Sequence, residues 1–386
     1  MKKKRLAIIS SHPIQYNAPM FALLAKSAFF ELKVFYTWSQ TQEKVYDRDF
    51  GKEIKWDIPL LNGYDFQFVE NISKQPGPGS FRGIDCPDLI PAIRNWQADA
   101  MLVFGWNYKA HLAAMRHFHG KIPVVFRGDS TLIDESTSIN KWIRRLVLTF
   151  VYRYCDKAFY VGRHNKAYFL QHGFKEHQLF FAPHAIDNER FSHIDKQLKT
   201  KALEFRQRLG IDQQDIVILF VGKFEPKKDP LLLMKSFQHL NRADTQLVFA
   251  GNGFLEHELK KLSEGQHNIH FIPFQNQQMM PVVYHLADLL ALPSQGPGET
   301  WGLVVNEAMA CGKAVLVSDK VGCAPDLIKD EWNGKVFHSG DLDDCVRSLQ
   351  FLLNSKERLT EMGLNSRTLI ESWSFEKIVE SFEKNL

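Results

Sequence analysis

Short apolar runs recur along this chain, each ending in a loop and each followed by a stretch with apolar residues at helical spacing. Leu6–Ile9, Leu32–Tyr36, Ala100–Phe104, Pro123–Phe126, Ala158–Gly162 and Phe180–Ala182 have this form in the first half. Ile216–Val221, Gln246–Ala250, Ile269–Phe274, Leu289–Leu292 and the run before Ser318 repeat it in the second. A strand that is apolar throughout is buried on both faces, as in a parallel sheet covered by helices. Between these runs, Met20–Ser27, Asp88–Trp96, Ala202–Leu209, Leu231–Leu240, Leu342–Leu353 and Lys356–Glu371 read as helices, and Ser374 as the N-cap of a last one through Phe382. Strand and helix alternating in this way predict an α/β chain of doubly wound sheets.

Two stretches break the rhythm. Thr37–Arg82 is aromatic and polar and ends in the turn cluster Gln75–Ser80, which reads as an insertion shaping a binding side or as surface decoration. Asn188–Lys201 is polar and charged and suits a linker. The expected division is therefore 1–195, 196–372 and a terminal helix at 373–386. A chain of 386 residues is long enough for two such cores.

Composition narrows the function classes. Hydrophobic residues are 45% and charged residues 24%, which argues against long disorder, and a net charge of +4 implies no nucleic-acid partner. The apolar run Leu6–Ile9 is far too short for a signal sequence, and no segment is long enough to span a bilayer. Five scattered cysteines without paired spacing point to reduced thiols, a cytoplasmic setting and no zinc site. One segment, 140–154, is basic, aromatic and apolar at helical spacing. Either it packs on a sheet with its cations in solvent or it makes peripheral contact with the inner membrane face.

The candidate chemistry centres on Leu289–Ser318, a strand, a loop with two glycines, a helix and a second strand. In a parallel sheet such a loop stands where ligands bind. Glu299 lies in the loop and Glu307 more than one turn into the helix, so the two reach opposite ends of an extended ligand. Gly302 lets the backbone approach that ligand, and the first-turn N–H groups suit an anion such as a diphosphate. Taken singly, both carboxylates would be surface residues.

Their company argues otherwise. Glu299-x7-Glu307, with Trp301-Gly302 after the first Glu and Asn306-Glu307-Ala308-Met309-Ala310-Cys311-Gly312 closing the helix, resembles the donor motif of family-four retaining glycosyltransferases of the GT-B fold, the group 1 type. The resemblance implies two Rossmann-like domains facing across a cleft, with the terminal helix returning to the amino-terminal domain. It also implies that Glu307 holds the ribose of a nucleotide-sugar, that Glu299 contacts the transferred sugar, and that Trp301, Gly302, Leu303 and Val304 border sugar and diphosphate.

A second signature begins at Gly222, where Lys223 and Lys228 resemble the family's Arg and Lys, the cations set on the donor diphosphate. Lys223 stands in place of the usual Arg, and Asp229, in place of a common Gly, could draw a lysine aside. Gly251 and Gly253 resemble the family's donor-facing glycine turn, and Phe274 stands where members bind the base, after Pro273, which has no N–H to donate. His184 and Ala185 replace the Asn-Gly of the family's turn.

The amino terminus resembles a subgroup with a His-Pro-Ile-Gln-Tyr loop. There His12, Gln15 and Tyr16 would face the diphosphate or acceptor, or His12 is a loop residue satisfied by backbone. Arg127 and Asp129, at another strand end, would meet an acceptor or pair with one another. The implied activity is hexosyl transfer from a nucleotide-sugar to a hydroxyl of a glycan or lipid-linked acceptor in bacterial surface polysaccharide synthesis, without cofactor, metal or covalent intermediate. A nucleotide-sugar epimerase, a pyridoxal-phosphate-dependent phosphorylase and a non-catalytic binding protein are the alternatives.

Overall fold

The computed structural model describes residues 2–38, 45–47, 52–54, 56–135, 139–193 and 195–386. Two compact units emerge: Met1–Val45 with Ile58–His184 and Phe375–Leu386, and Tyr46–Asp57 with Ala185–Ser374.

Strands β1 (Lys4–Ser10), β2 (Phe30–Tyr36), β3 (Val45–Asp47), β4 (Lys52–Ile54), β5 (Asp65–Phe68), β6 (Ala100–Phe104), β7 (Val124–Arg127), β8 (Lys157–Tyr160) and β9 (Leu179–Phe181) lead in chain order. Seven of them form the parallel sheet of the first unit, ordered β5-β2-β1-β6-β7-β8-β9, while β3 and β4 pair separately. Leu6, Ala7, Ile8 and Ile9 of β1 are wholly buried, as an uninterrupted apolar strand at the centre of a covered sheet must be. From β1 the chain winds outward to β2 and β5, then returns to lay β6 on the other flank of β1. This reversal opens a crevice beyond the carboxyl ends of β1 and β6.

The second unit repeats the plan. Strands β10 (Ile216–Val221), β11 (Thr245–Ala250), β12 (Ile269–Ile272), β13 (Leu289–Leu292), β14 (Ala314–Ser318) and β15 (Gly334–Phe337) form a parallel sheet in the order β12-β11-β10-β13-β14-β15. Here the winding reverses about β10, between β11 and β13. Both sheets are thus the doubly wound kind that the apolar runs predict.

Two expectations need correction. Part of the supposed irregular insertion Thr37–Arg82 lies outside the described residues, but within the rest β5 is an edge strand on β2. Its Phe66 and Phe68 alternate with Asp65 and Gln67, and Phe68 stacks on Tyr36 at 5.4 Å. Four residues of alternating polarity carry too weak a period to read as a strand without the sheet beside them. The supposed linker is helical: Asn188–Ser192 and Lys196–Arg208 are helices, the latter N-capped by the Asp195 carboxylate. Phe191 is fully buried there, its ring 5.8 Å from Tyr284, so one apolar anchor outweighs the polar composition around it.

The terminal helix Phe375–Asn385 packs within the first unit, on the opposite end of the sequence from the strands it covers. Phe382 is wholly buried with its ring 4.4 Å from that of Phe159, and Ser27 donates a hydroxyl to Glu383 at 2.6 Å. Deleting that ring leaves a cavity under the sheet. Phe382→Ala is expected to lower the stability of this unit by about 4 kcal/mol, measured as a shift of the urea midpoint; a change inside error would mean that the helix is not part of the core.

Candidate active site

The crevice of the second unit receives the loops that follow β10 and β13. From β10 the chain enters Gly222 and Lys223, makes a 3-10 turn at Pro226–Lys228, and starts the helix Pro230–Leu240. From β13 it passes Ser294 and Glu299 to Gly302, the left-handed N-cap of the helix Leu303–Ala310. Backbone bonds join the loops, since the Gln295 and Gly296 N–H groups donate to the Lys227 carbonyl at 2.9 and 3.2 Å.

That join brings the two signatures together. Lys228 Nζ is ion-paired with Glu299 Oε2, their side chains only 15% and 8% exposed, and Ser294 donates its hydroxyl to the same oxygen at 3.0 Å. Asp229 does not take up this role. Its backbone sits at φ +46° and its carboxylate accepts the Leu232 N–H at 3.2 Å, capping the next helix, while burial raises its pKa. Lys223 is half-buried at the mouth of the same strand.

A third loop braces the Glu299 segment from behind. Gly322 N–H donates to the Glu299 carbonyl and Cys323 N–H to that of Trp301, at 3.1 and 2.9 Å. A Cβ on Gly322 would stand 1.8 Å from the Thr300 oxygen, so only glycine allows this approach. Gly302, at φ +94°, is likewise fixed by Val321 and Leu292, which leave no room for a side chain. Trp301 is buried, donating from Nε1 to Asn306 at 2.8 Å and packing on Trp373. Only its backbone is thereby set along the helix start with Leu303 and Val304, and the N-cap, Gly302, has no side chain of its own to cap that helix. Glu307 is 2% exposed and accepts a 2.6 Å bond from the Tyr284 hydroxyl.

The glycine turn after β11 closes the other side. Gly251 and Gly253 lie so close to the Gly222 carbonyl and the Phe224 backbone that a Cβ would approach within 2.0 and 2.5 Å. Asn252, between them, accepts the Phe274 N–H at 2.8 Å and donates to Glu256 at 3.0 Å. The backbone donor at Phe274, the one nearest to Pro273, is thus already engaged within the protein.

In the first unit the loops at the corresponding crevice hold histidines that burial keeps neutral, an engaged arginine and a carboxylate. His12 receives its Nδ1 contact from Ser11 at 2.9 Å, meets the Trp38 ring edge-on at 5.2 Å, and is held neutral by burial, its pKa lowered to about 4. Tyr108 is hydrogen-bonded to Ser11 in turn. Gln15 and Tyr16 are half-buried in the following turn, where Asn17 and Ala18 N–H groups donate to the Ile14 carbonyl. Arg127 is 5% exposed and spends its guanidinium on the Ala182 and Pro183 carbonyls, both at 2.8 Å. Burial lowers its pKa to about 10 and the nearby Asp129 opposes the shift. The side chain of Asp129 stands 3.9 Å from His184, whose pKa burial lowers to about 4.

Comparison with known proteins fits the second unit first. Residues 202–369 match the family model for glycosyl transferases group 1. The D-inositol 3-phosphate glycosyltransferase of Gordonia bronchialis is 30% identical over 194 residues, 46% of this chain and 41% of that protein. The lipopolysaccharide 1,2-N-acetylglucosaminetransferase of Salmonella typhimurium is 29% identical over 194 residues, 47% of this chain and 50% of that protein. The matches thus span half or less of these curated relatives. Anabaena HepE in complex with UDP and glucose superposes with a TM-score of 0.72 at 15% identity, covering 99% of this chain and 98% of that one. The chain shares the GT-B fold.

Three contributors escape the sequence reading. Ser294 follows the strand-end Pro293, and a lone serine in a loop carries no pattern of its own. Asn252 lay between two noted glycines. Tyr284, 23 positions before Glu307, sits in an apolar helix and gives no signal until the fold buries its hydroxyl beside a carboxylate.

The surroundings of His111 predict that the first unit loses stability in acid. It is wholly buried, with Nδ1 on the Gly105 carbonyl at 2.7 Å and Nε2 on the Thr37 hydroxyl at 2.9 Å, and burial lowers its pKa from 6.5 to about 4. The neutral ring donates to Gly105 and accepts from Thr37, which an imidazolium cannot do. Its folded pKa lies below its unfolded one, so the unfolded chain binds more protons between them. The stability it contributes is present above pH 6.5 and lost as pH falls to about 4. Urea unfolding should show a loss on the order of 3 kcal/mol across that window from this residue alone. A His111→Asn variant should show a shallower slope; an unchanged slope would remove His111 as a cause.

Proposed function

We propose that this protein is a retaining glycosyltransferase that moves a hexose from a nucleotide-sugar to a hydroxyl of a glycan or lipid-linked acceptor, in the cytoplasm, for bacterial surface polysaccharide synthesis. The observation that carries the reading is the Lys228–Glu299 pair at the strand crossover of the second unit, beside the glycine-started Leu303–Ala310 helix. Buried charges held by two loops make a poor scaffold element and a good receptor for an ionic ligand.

In this reading the diphosphate lies over the helix start, against the Leu303 and Val304 backbone, with Lys223 and Lys228 as its cations. Gly222, Gly251 and Gly253 admit it closely. Glu307, oriented by Tyr284, accepts from the ribose hydroxyls, and Phe274 contributes its side chain to the base in place of an N–H. Glu299 meets the sugar. As the acceptor oxygen bonds to the anomeric carbon and the bond to diphosphate breaks, negative charge builds on the leaving oxygens, which take up the proton of the acceptor hydroxyl. In this reading both lysines meet that charge, and they stabilise the transition state more than the ground state. Side-chain cations fill this role without a metal or cofactor. His12, Gln15, Tyr16 and Asp129 supply the acceptor side, whereas the engaged guanidinium of Arg127 shapes it from behind. The complexes of HepE with UDP and glucose make uridine the first base to test.

Steady-state transfer assays with a panel of nucleotide-sugars test the roles. Lys228→Ala should lower turnover about a hundredfold or more, the equivalent of roughly 3 kcal/mol of transition-state stabilisation. Glu299→Gln should reduce turnover more than donor affinity, and Glu307→Ala chiefly affinity. The opposite split between the two glutamates would contradict the assignment, and conversion of donor without any acceptor would favour an epimerase.

A further inference from the structure

The helix Ile139–Tyr152 turns an apolar face to solvent. Trp142, Ile143, Leu146 and Phe150 are 64, 57, 72 and 57% exposed, and Val147 is exposed beside them. At about 100° per residue, these five fall within an arc of roughly 140°. Leu148, Val151 and Tyr152, on the opposite side, are buried in the core of the first unit. Exposed apolar residues scattered singly are ordinary, but five on one face of one helix form a patch that invites a partner.

Charge selects the partner. The segment carries Lys141, Arg144 and Arg145, is followed by Arg153, and contains no acidic residue. By the same helical spacing Arg144 and Arg145 fall on either side of the apolar arc. The Arg145 guanidinium lies over the Trp142 ring at 5.6 Å. An apolar stripe with Trp and cationic edges is the pattern of a helix lying in the interface of an anionic bilayer. A second copy of the chain would set arginine against arginine across a two-fold axis, which disfavours self-pairing. Among the described residues no helix is long and apolar enough to cross a membrane.

The inner edge of the same helix lines a cavity of about 380 Å³. Arg144 faces it with Trp106 and Asn107 from the loop after β6, Ser130 from the loop after β7, and Tyr168. The cavity therefore stands at the strand ends of the unit assigned to the acceptor, along the Val147 edge of the apolar face.

We infer that Ile139–Tyr152 seats the first unit on an anionic lipid surface, so that the acceptor is the lipid-anchored one of the two classes, its polar head reaching the cavity beside the seat. The choice of acceptor rests on the glycosyl-transfer reading; the membrane seat does not. The test is co-sedimentation of the full chain with phosphatidylcholine vesicles with and without phosphatidylglycerol. Binding should require the anionic lipid and weaken with added salt. A Trp142→Glu, Leu146→Glu double variant should bind those vesicles about tenfold more weakly or worse. Both side chains are mostly in solvent, so the variant should fold and keep its affinity for UDP, which separates failure of the seat from failure of the donor site. Absence of vesicle binding, equal binding by the variant, or a concentration-dependent dimer that the variant abolishes would each overturn the inference.

Discussion

A lysine and a glutamate sit almost out of solvent where the winding of the second sheet reverses, and their approach constrains the segments around them. Neither charge would be stable there alone, because an ion removed from water costs several kcal/mol unless it is paired. Lys228 comes from the loop after β10 and Glu299 from the loop after β13, so the pair forms only if these loops lie side by side. The bonds from Gln295 and Gly296 to the Lys227 carbonyl provide that register. Gly322 and Gly302 are glycines because the third loop and the helix start close in behind Glu299. Ser294 then gives the carboxylate a neutral donor in addition to its cation.

The two crevices differ in electrostatic character. In the second unit the Lys228–Glu299 pair puts charge at the strand ends, as the proposed anionic donor would require. In the first, burial keeps His12, His111 and His184 neutral, and the Arg127 charge is absorbed by two carbonyls. Neutral imidazoles and aromatic rings beside the Asp129 carboxylate suit hydroxyls and sugar rings better than phosphates.

Most of the architecture was visible in the chain because buried parallel strands write themselves as apolar runs. Ile216–Val221 and Ala100–Phe104 are strands over the very residues expected. Where the signal weakened, so did the reading. The edge strand Asp65–Phe68 is half polar because one of its faces is wet, and the helix Asn188–Ser192 depends on Phe191, a single apolar residue in a polar stretch. At the site, the spacing of Lys228, Glu299 and Glu307 was legible, but their partners were not. Tyr284 and Ser294 matter through bonds made across the fold, which no local pattern encodes. The place of Asp229 is hidden for the same reason: its left-handed backbone and capping bond become evident only when the next helix is in place.

The central claim is that the strand ends of β10 and β13 form a nucleoside diphosphate site with Glu307 at its ribose end. Calorimetric titration of the purified protein with UDP, GDP, ADP and dTDP, repeated on Glu307→Ala, addresses it most directly. The account predicts saturable one-site binding of one of these nucleotides and a loss of at least about tenfold in its affinity in the variant, on the scale of a removed charged hydrogen-bond partner. Binding of that nucleotide with equal strength to both proteins, or no binding of any of the four to the wild type, would contradict it.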